Sequence, residues 1–383
     1  MTPMQPPVRT AFVMEQALGH VTHARNLQTL VAERSDIAAS WLPIPFEVRG
    51  AERVIPMLRS NWSVRASWRA RRALNAALAG APHQALVFHT QVTALFSVAL
   101  MRRLPSIVSM DATPLNYDRV GAAYGHTPAG NGFLDRRKFA MNRAVFEAAA
   151  GLVTWSEWAK RSLEDDYQID PAKVRVLAPG AAAAYFAIGQ QRPTVTEAAG
   201  QTGRVKVLFV GGDFQRKGGP LLVESMRDLL GERCELHLVT SQTAQVEPQP
   251  HLFVHHGLGP NSPALLRLFR AADLFVLPSR AECLAVVLME ATAAGLPVIT
   301  TEVGALAEAV TVGQSGLTVP VGDGAALRHA LEVLVSDAGL RQRMGRAGHA
   351  LARDKFDAQR NNQALLDMVV AYALAPQAAW RAA

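Results

Sequence analysis

Residues 276–299 read Val276-Leu277-Pro278-Ser279-Arg280-Ala281-Glu282, then seven residues, then Glu290, then Ala293-Ala294-Gly295-Leu296-Pro297-Val298-Ile299. The apolar run stopped by Pro278 predicts a buried strand, with Glu282 on the loop that follows. Open α/β sheets bind ligands at that end of their strands. Glu290 falls about two turns along the helix that this loop opens. The free backbone N–H groups at the helix start, around Leu284, Ala285, Val286 and Val287, make a ready site for a diphosphate. Carboxylates so spaced suit sugar and ribose hydroxyls better than a shared proton. The bland alternative is two solvated glutamates beside an ordinary buried helix. Pro-Ser before the motif and Gly-x-Pro-Val-Ile after it weigh against that.

Working outward, 204–210 is a β-branched strand ending in Gly211-Gly212, and 220–230 is helical. Strands are expected at 234–239, 252–255, 274–277 and 297–300, with helices at 265–271 and 290–294. Alternation of this kind implies a parallel sheet covered by helices on both faces. The first half repeats the theme: strands at 10–14, 85–88 and 106–109, and a helix at 22–31. The Gln-, Thr-, Pro- and Gly-rich stretch 188–203 has linker composition. The expected architecture is α/β, two Rossmann-like domains facing across a central cleft. The domains span 1–187 and 204–360, and the helical tail 361–383 packs back on the first.

A length of 383 residues is too great for one ordinary core, and 49% hydrophobic with 19% charged residues describes a globular chain. No apolar run reaches the roughly 18–20 residues of a membrane span. The N-terminus lacks the pattern of a signal peptide. Cys234 and Cys283 are the only cysteines, so a disulfide framework is excluded and a reducing cytoplasm is expected. No Cys/His cluster has zinc-ligand spacing. Lys and Arg outnumber Asp and Glu 21 to 14 over residues 1–180 and balance 18 to 18 beyond. A one-sided basic surface suits a membrane, an acidic substrate or nucleic acid. The chain carries no nucleic-acid-binding signature, so nucleic acid is not expected as a partner.

Further stretches carry chemistry. In Gly211-Gly212-Asp213-Phe214-Gln215-Arg216-Lys217-Gly218-Gly219 the glycines admit phosphate oxygens to the backbone. Arg216 and Lys217 would neutralise charge growing on a departing diphosphate. Gln16-Ala17-Leu18-Gly19-His20-Val21-Thr22-His23 follows the first strand and is not a Gly-x-Gly-x-x-Gly fingerprint. His20 and His23 read first as helix-start or packing residues. Ile107 to Pro114 ends another strand, where Asp111 is a pocket candidate beside Met110. His89 and His126 read more readily as structural than as site residues. Over residues 59–72, which begin and end at Arg59 and Arg72, Arg65, Trp68, Arg69 and Arg72 share a helical face, with Trp62 a turn earlier. Guanidinium groups beside indoles suit an anionic membrane surface or a lipid-linked acceptor. A solvated helix with its tryptophans inward is the plainer alternative.

The 276–299 stretch resembles the family 4 retaining glycosyltransferases of the GT-B fold, which pair a Pro-Ser strand end with Glu-x7-Glu and a Gly-x-Pro-Val turn. Gly304, Glu308, Gly313, Gly316 and Asp323 also fall where the family pattern places them. The resemblance is dense over 204–325 and thinner over 8–185. It implies a UDP-, GDP- or ADP-sugar donor, no cofactor beyond it, and a glycan, lipid-carrier or small-molecule acceptor. It assigns Glu282 to the donor sugar, Glu290 to the ribose, and Lys217 with Arg216 to the leaving diphosphate. Gly19, Gly211, Gly212 and the 284–287 backbone would line the donor, with Gly257 near the base. The family's usual Arg after the first glycine is Gly212 here, and Arg216 is the candidate replacement. Its usual histidine before the aspartate is Met110, its loop glycine is Ala285, and its Asn-Gly-x-Asp turn is Pro179-Gly180-Ala181-Ala182. No Asp-x-Asp occurs in the chain, so no essential metal is expected. A nucleotide-sugar epimerase, a phosphorylase with lysine-bound pyridoxal phosphate, and a catalytically weak sugar-nucleotide-binding partner are the competing readings.

Overall fold

The computed structural model describes residues 6–16, 19–121, 130, 132–192, 203–242, 246–376 and 380. The chain divides into two compact units, one from Met1–Tyr117, Ala129–Ala178 and Arg360–Ala383, the other from Asp118–Pro128 and Pro179–Gln359. The crossing at 178/179 precedes the expected linker, because residues 183–190 form a helix that belongs to the second unit. Residues 193–202 of that linker lie outside the described residues.

In the first unit, β1 (Val8–Gln16), β2 (Ile37–Pro45), β3 (Ala85–His89), β4 (Ser106–Met110), β5 (Gly151–Thr154) and β6 (Val174–Val176) form one sheet in the order β2-β1-β3-β4-β5-β6. Every pairing is parallel. Alternate side chains of each strand enter separate cores, as the pleat requires. Ala11, Val13, Leu86 and Phe88 pack with Ala66, Ala70 and Leu74 of helix Trp62–Gly80 and with Phe146 of helix Phe133–Ala148. Phe12, Met14, Ala85 and Val87 pack with Ala24 and Leu27 of helix His20–Ala32 and with Leu365, Leu366 and Val369 of helix Ala358–Leu374. Burial on both faces explains why β1 reads as a continuous apolar run. β2 carries Pro43 and Pro45, which hid it from a strand reading, and it sits at the sheet edge, where a missing N–H is tolerated.

The second unit repeats the plan. β7 (Val205–Val210), β8 (Cys234–Val239), β9 (Leu252–His255), β10 (Leu274–Leu277), β11 (Val298–Thr301) and β12 (Gly316–Val319) run parallel in the order β12-β11-β10-β7-β8-β9. Strand order reverses between β7 and β10, the place at the carboxyl edge where open α/β sheets bind ligands. In the first unit the reversal lies between β1 and β3.

The Gly-x-Pro-Val-Ile signal has a local cause. Helix Val286–Ala293 ends with Gly295 N–H donating to Thr292 O and Leu296 N–H donating to Ala291 O. Those paired bonds demand a left-handed residue, and Gly295 sits at φ +69°. Pro297 then blocks further helix and Val298 begins β11.

Candidate active site

At the strand-order reversal of the second unit, the loop after β7 meets the loop after β10. Gly218 stands at φ +78°, and a Cβ there would lie 1.9 Å from Pro278 O. Only glycine lets the two backbones approach this closely. Arg280 N–H donates to Arg216 O at 2.8 Å, and the Ser279 hydroxyl donates to the same carbonyl at 3.3 Å. Thr301 Oγ1 donates to Ser279 O at 2.6 Å, which ties the loop to the end of β11. Gly304 closes the other side, since a Cβ there would lie 2.0 Å from Glu282 O.

This framework places Glu282 Oε2 at 2.8 Å from Lys217 Nζ and 3.0 Å from an Arg216 guanidinium nitrogen. All three side chains are at most 15% exposed. Burial alone would raise the Glu282 carboxyl, but the charges and hydrogen bonds of Lys217 and Arg216 outweigh it and hold the group below its ordinary value. The Arg216 guanidinium also donates to Ala281 O at 2.7 Å and pairs with Asp213 at 3.1 Å. Arg216 is thus a strut between the loops, while Lys217 stands beside Gly211, where a Cβ would lie 2.5 Å from Lys217 Cδ. Gly212 is not crowded in this way: the nearest atom to a Cβ there is Ser241 Oγ at 3.6 Å.

The same loop leads into helix Val286–Ala293, capped by Ala285, whose methyl side chain cannot accept the first N–H groups. Leu284 and Ala285 are buried, and Val286 and Val287 are half-buried. Glu290, in the second turn, is 7% exposed. Burial pushes its carboxyl up to about 7, and the nearby Tyr185 hydroxyl opposes this only in part. Tyr185, on helix Ala183–Gln190, has no aligned hydrogen-bond partner for its hydroxyl among the described residues. Burial, then the charge of Glu290, raises it. Sequence reading missed Tyr185; its only signal is its place just after the 179–182 turn, where Gly180 adopts φ +70°. Gly257, at φ +70° after β9, is exposed and uncrowded.

In the first unit, Gly19 precedes helix His20–Ala32 with nothing within 4 Å of a Cβ. Asp111 follows β4, and its carboxylate lies 3.9 Å from His20 Nε2. Met110 is fully buried in the core with Phe88 and Leu152. His89, at the end of β3, lies 2.8 Å from His20. His126 is outside the described residues.

The basic stretch 59–72 differs from a free guanidinium row. Arg65 is 4% exposed and donates to the Leu58, Arg59 and Phe46 carbonyls. Arg69 binds Glu52 and the Pro45 and Glu47 carbonyls. Both are staples for the chain between β2 and helix Trp62–Gly80. Trp62 donates its indole N–H to Glu15 at 2.9 Å. Arg72 and Trp68 stay exposed, joined on the surface by Val54, Ile55 and Met57, the last at 65%. No helix among the described residues is long and apolar enough to cross a membrane. Among the same residues no group of His, Cys, Asp and Glu is placed to hold a metal ion.

A family described as glycosyl transferases group 1 matches residues 204–337, and one described as glycosyltransferase family 4 matches residues 19–184. The chain belongs to the family 4 glycosyltransferases. The D-inositol 3-phosphate glycosyltransferase of Kribbella flavida is 31% identical over 221 residues, 53% of this chain and 52% of that protein. This family 4 chain therefore spans about half the length of the curated relatives it matches. Sucrose-phosphate synthase from Thermosynechococcus elongatus superposes with a TM-score of 0.70 at 17% identity, covering 94% of this chain and 98% of that one. Anabaena Alr3699/HepE, solved in complex with UDP, gives 0.64 at 12% identity, covering 95% and 100%. The family 4 chain thus has the GT-B architecture.

Glu290 gives the family 4 chain a pH signature. A carboxyl raised in the folded state stabilises fully below its unfolded value of 4.5, and that contribution is lost as pH rises through about 7. A 2.5-unit rise corresponds to about 3 kcal/mol. Urea denaturation across pH is expected to find Glu290→Gln more stable than the parent near pH 8, with the advantage gone below about pH 5. Equal stabilities near pH 8 would contradict a buried, costly carboxylate.

Proposed function

We propose that this protein is a retaining glycosyltransferase that moves a sugar from a nucleoside-diphosphate donor to a hydroxylated acceptor. The observation that carries the reading is the meeting of Lys217, Arg216 and Glu282 at the reversal point of the second sheet. Departure of a nucleoside diphosphate develops negative charge, and preorganised cations and N–H groups aimed at it lower the barrier. Lys217 and the N–H groups at Val286 and Val287 serve the diphosphate. Arg216 holds the loop and the Glu282 carboxylate in place. Glu282 accepts from donor-sugar hydroxyls, Glu290 from the ribose diol, and the open backbone at Gly257 borders the base. With charge neutralised by a lysine and helix N–H groups, turnover needs no divalent metal. The UDP seen in one solved neighbour puts UDP-sugars first among the donors to test.

Thermal-shift measurements with UDP, GDP, ADP and their sugar conjugates are the first check, because a ligand that binds only the native state raises its apparent stability. One nucleotide is expected to raise Tm, and Glu290→Ala to abolish the rise. Lys217→Ala is expected to lower kcat about 10²–10³-fold, the scale of losing one charge-stabilising donor, and EDTA to leave turnover unchanged. No shift with any nucleotide would contradict the reading and favour a non-catalytic partner protein.

The acceptor side extends to an anionic membrane surface or lipid-linked acceptor. Support comes from exposed Val54, Ile55 and Met57 lying in sequence between Arg53 and Arg59, with Trp68 and Arg72 exposed on the next helix. Apolar side chains among cations suit the headgroup boundary of anionic lipid. Cosedimentation with anionic vesicles at low salt is expected, and Met57→Asp should weaken it. Equal recovery with neutral vesicles, or none with either, would contradict it.

A further inference from the structure

Two neighbouring cations, Arg216 and Lys217, share one oxygen of Glu282, and they are not held alike. Glu282 Oε2 accepts from Lys217 Nζ at 2.8 Å and from Arg216 Nη1 at 3.0 Å. Its Oε1 takes no hydrogen bond among the described residues. Arg216 has a second carboxylate, Asp213, and among the described residues Lys217 has none. Asp213 Oδ2 accepts from Arg216 Nε at 3.1 Å, and Asp213 Oδ1 accepts from the Arg216 backbone N–H at 3.1 Å. One carboxylate thus holds both the backbone and the guanidinium of the same arginine. The Asp213 side chain is 42% exposed, whereas that of Arg216 is 8% exposed.

The turn does not need the Asp213 charge. An asparagine oxygen would accept the Arg216 N–H as well as a carboxylate does. The loop backbone has its own anchors besides Gly218. Gly212 O accepts from Ser241 Oγ at 2.8 Å and from Thr240 Oγ1 at 3.3 Å, and the Phe214 N–H donates to Gln242 Oε1 at 2.8 Å. What the charge does answer is the guanidinium, since an ion shielded from water needs an opposite charge beside it. Asp213, Arg216, Lys217 and Glu282 together carry two positive and two negative charges. A carboxylate on a loop that receives a diphosphate repels it and lowers its affinity. Asp213 therefore opposes nucleotide binding without serving the turn, and its task lies in the side chain that it holds.

We propose that Asp213 is a positioning residue that separates the roles of the two cations, keeping Arg216 on Glu282 while Lys217 goes to the diphosphate. The proposal rests on the glycosyltransferase reading above. A diphosphate attracts both cations, and Lys217 has a single carboxylate to leave. Arg216 is retained by Asp213 at Nε and by Ala281 O at 2.7 Å from Nη1. Glu282 Oε2 therefore keeps one donor after Lys217 has gone, and Oε1 stays aimed at the donor-sugar hydroxyls. Without the Asp213 charge, Arg216 follows Lys217 to the diphosphate. Glu282 is then shielded from water with neither cation beside it, and its aim is lost. The nucleotide gains a partner and the sugar loses its anchor.

The test on the full chain is calorimetry with UDP, GDP and ADP, then hydrolysis of the sugar conjugate of whichever binds, with water as acceptor. Asp213→Asn is expected to bind the nucleoside diphosphate about three- to tenfold tighter at low salt, the scale of one like charge removed nearby. The gain should shrink as salt screens the charges. In the same variant kcat is expected to fall at least about tenfold, the scale of a misplaced positioning group. Damage to the loop would instead weaken both, so the opposite signs are the signature. Asp213→Glu, which restores the charge, is expected to return nucleotide affinity to that of the parent. With Arg216→Gln already present, Asp213→Asn should leave kcat nearly unchanged, because the residue through which it acts is gone. Nucleotide affinity unchanged or weakened in Asp213→Asn, an unchanged kcat, or an equal loss with and without Arg216 would each overturn the proposal. A parent that binds none of the three nucleotides would remove the glycosyltransferase reading itself, and this assignment with it.

Discussion

The carboxylate of Glu282, shared by Lys217 and Arg216, joins two loops that are 65 and 66 residues apart in sequence. Each charge is shielded from water and would be costly alone, because an unpaired buried ion lacks the solvent that stabilised it in the unfolded chain. The cluster is therefore satisfied only when both loops are in place. Backbone contacts secure them: Gly218 lets the β7 loop lie on Pro278, and Gly304 lets the segment after β11 lie on Glu282. The site is rigid because the ion cluster and the glycine contacts constrain the same few residues.

Each unit places its polar cluster at the reversal of its own sheet, yet the chemistry differs. The second unit gathers full charges, with two cations around one carboxylate. Such a set can exchange an internal partner for a phosphate at little electrostatic cost, since a negative group is replaced by another. The first unit gathers imidazole rings, two of them kept uncharged by burial and the third, His20, partly exposed. Uncharged imidazoles such as His23 and His89 hold little attraction for a diphosphate.

Much of this is legible in sequence where chemistry and spacing coincide locally. Glu282, Glu290 and the Schellman stop at Gly295 lie within one strand–loop–helix, so their pattern survives in one dimension. Lys217 is legible only beside the Glu282–Glu290 motif, because a glycine-rich loop after a strand is by itself most simply a surface turn. The pairing of His20 with His89 is not, since 69 residues separate them and each alone reads as packing. Tyr185 is hidden for the same reason. Arg65 and Arg69 mislead in the opposite sense: helical spacing groups them on one face, but backbone carbonyls of the preceding segment and the Glu52 carboxylate already engage their guanidinium groups. β2 was obscured by prolines that only an edge strand tolerates.

The most direct measurement is a crystal structure of the chain with an intact nucleoside diphosphate. Lys217 Nζ, 2.8 Å from Glu282, should leave it for a phosphate oxygen, with the N–H groups of Val286 and Val287 on the same diphosphate and Glu290 on the ribose. A nucleotide bound elsewhere, or one that leaves the Lys217–Glu282 contact intact with no phosphate beside it, would contradict the assignment of this cluster as the donor site.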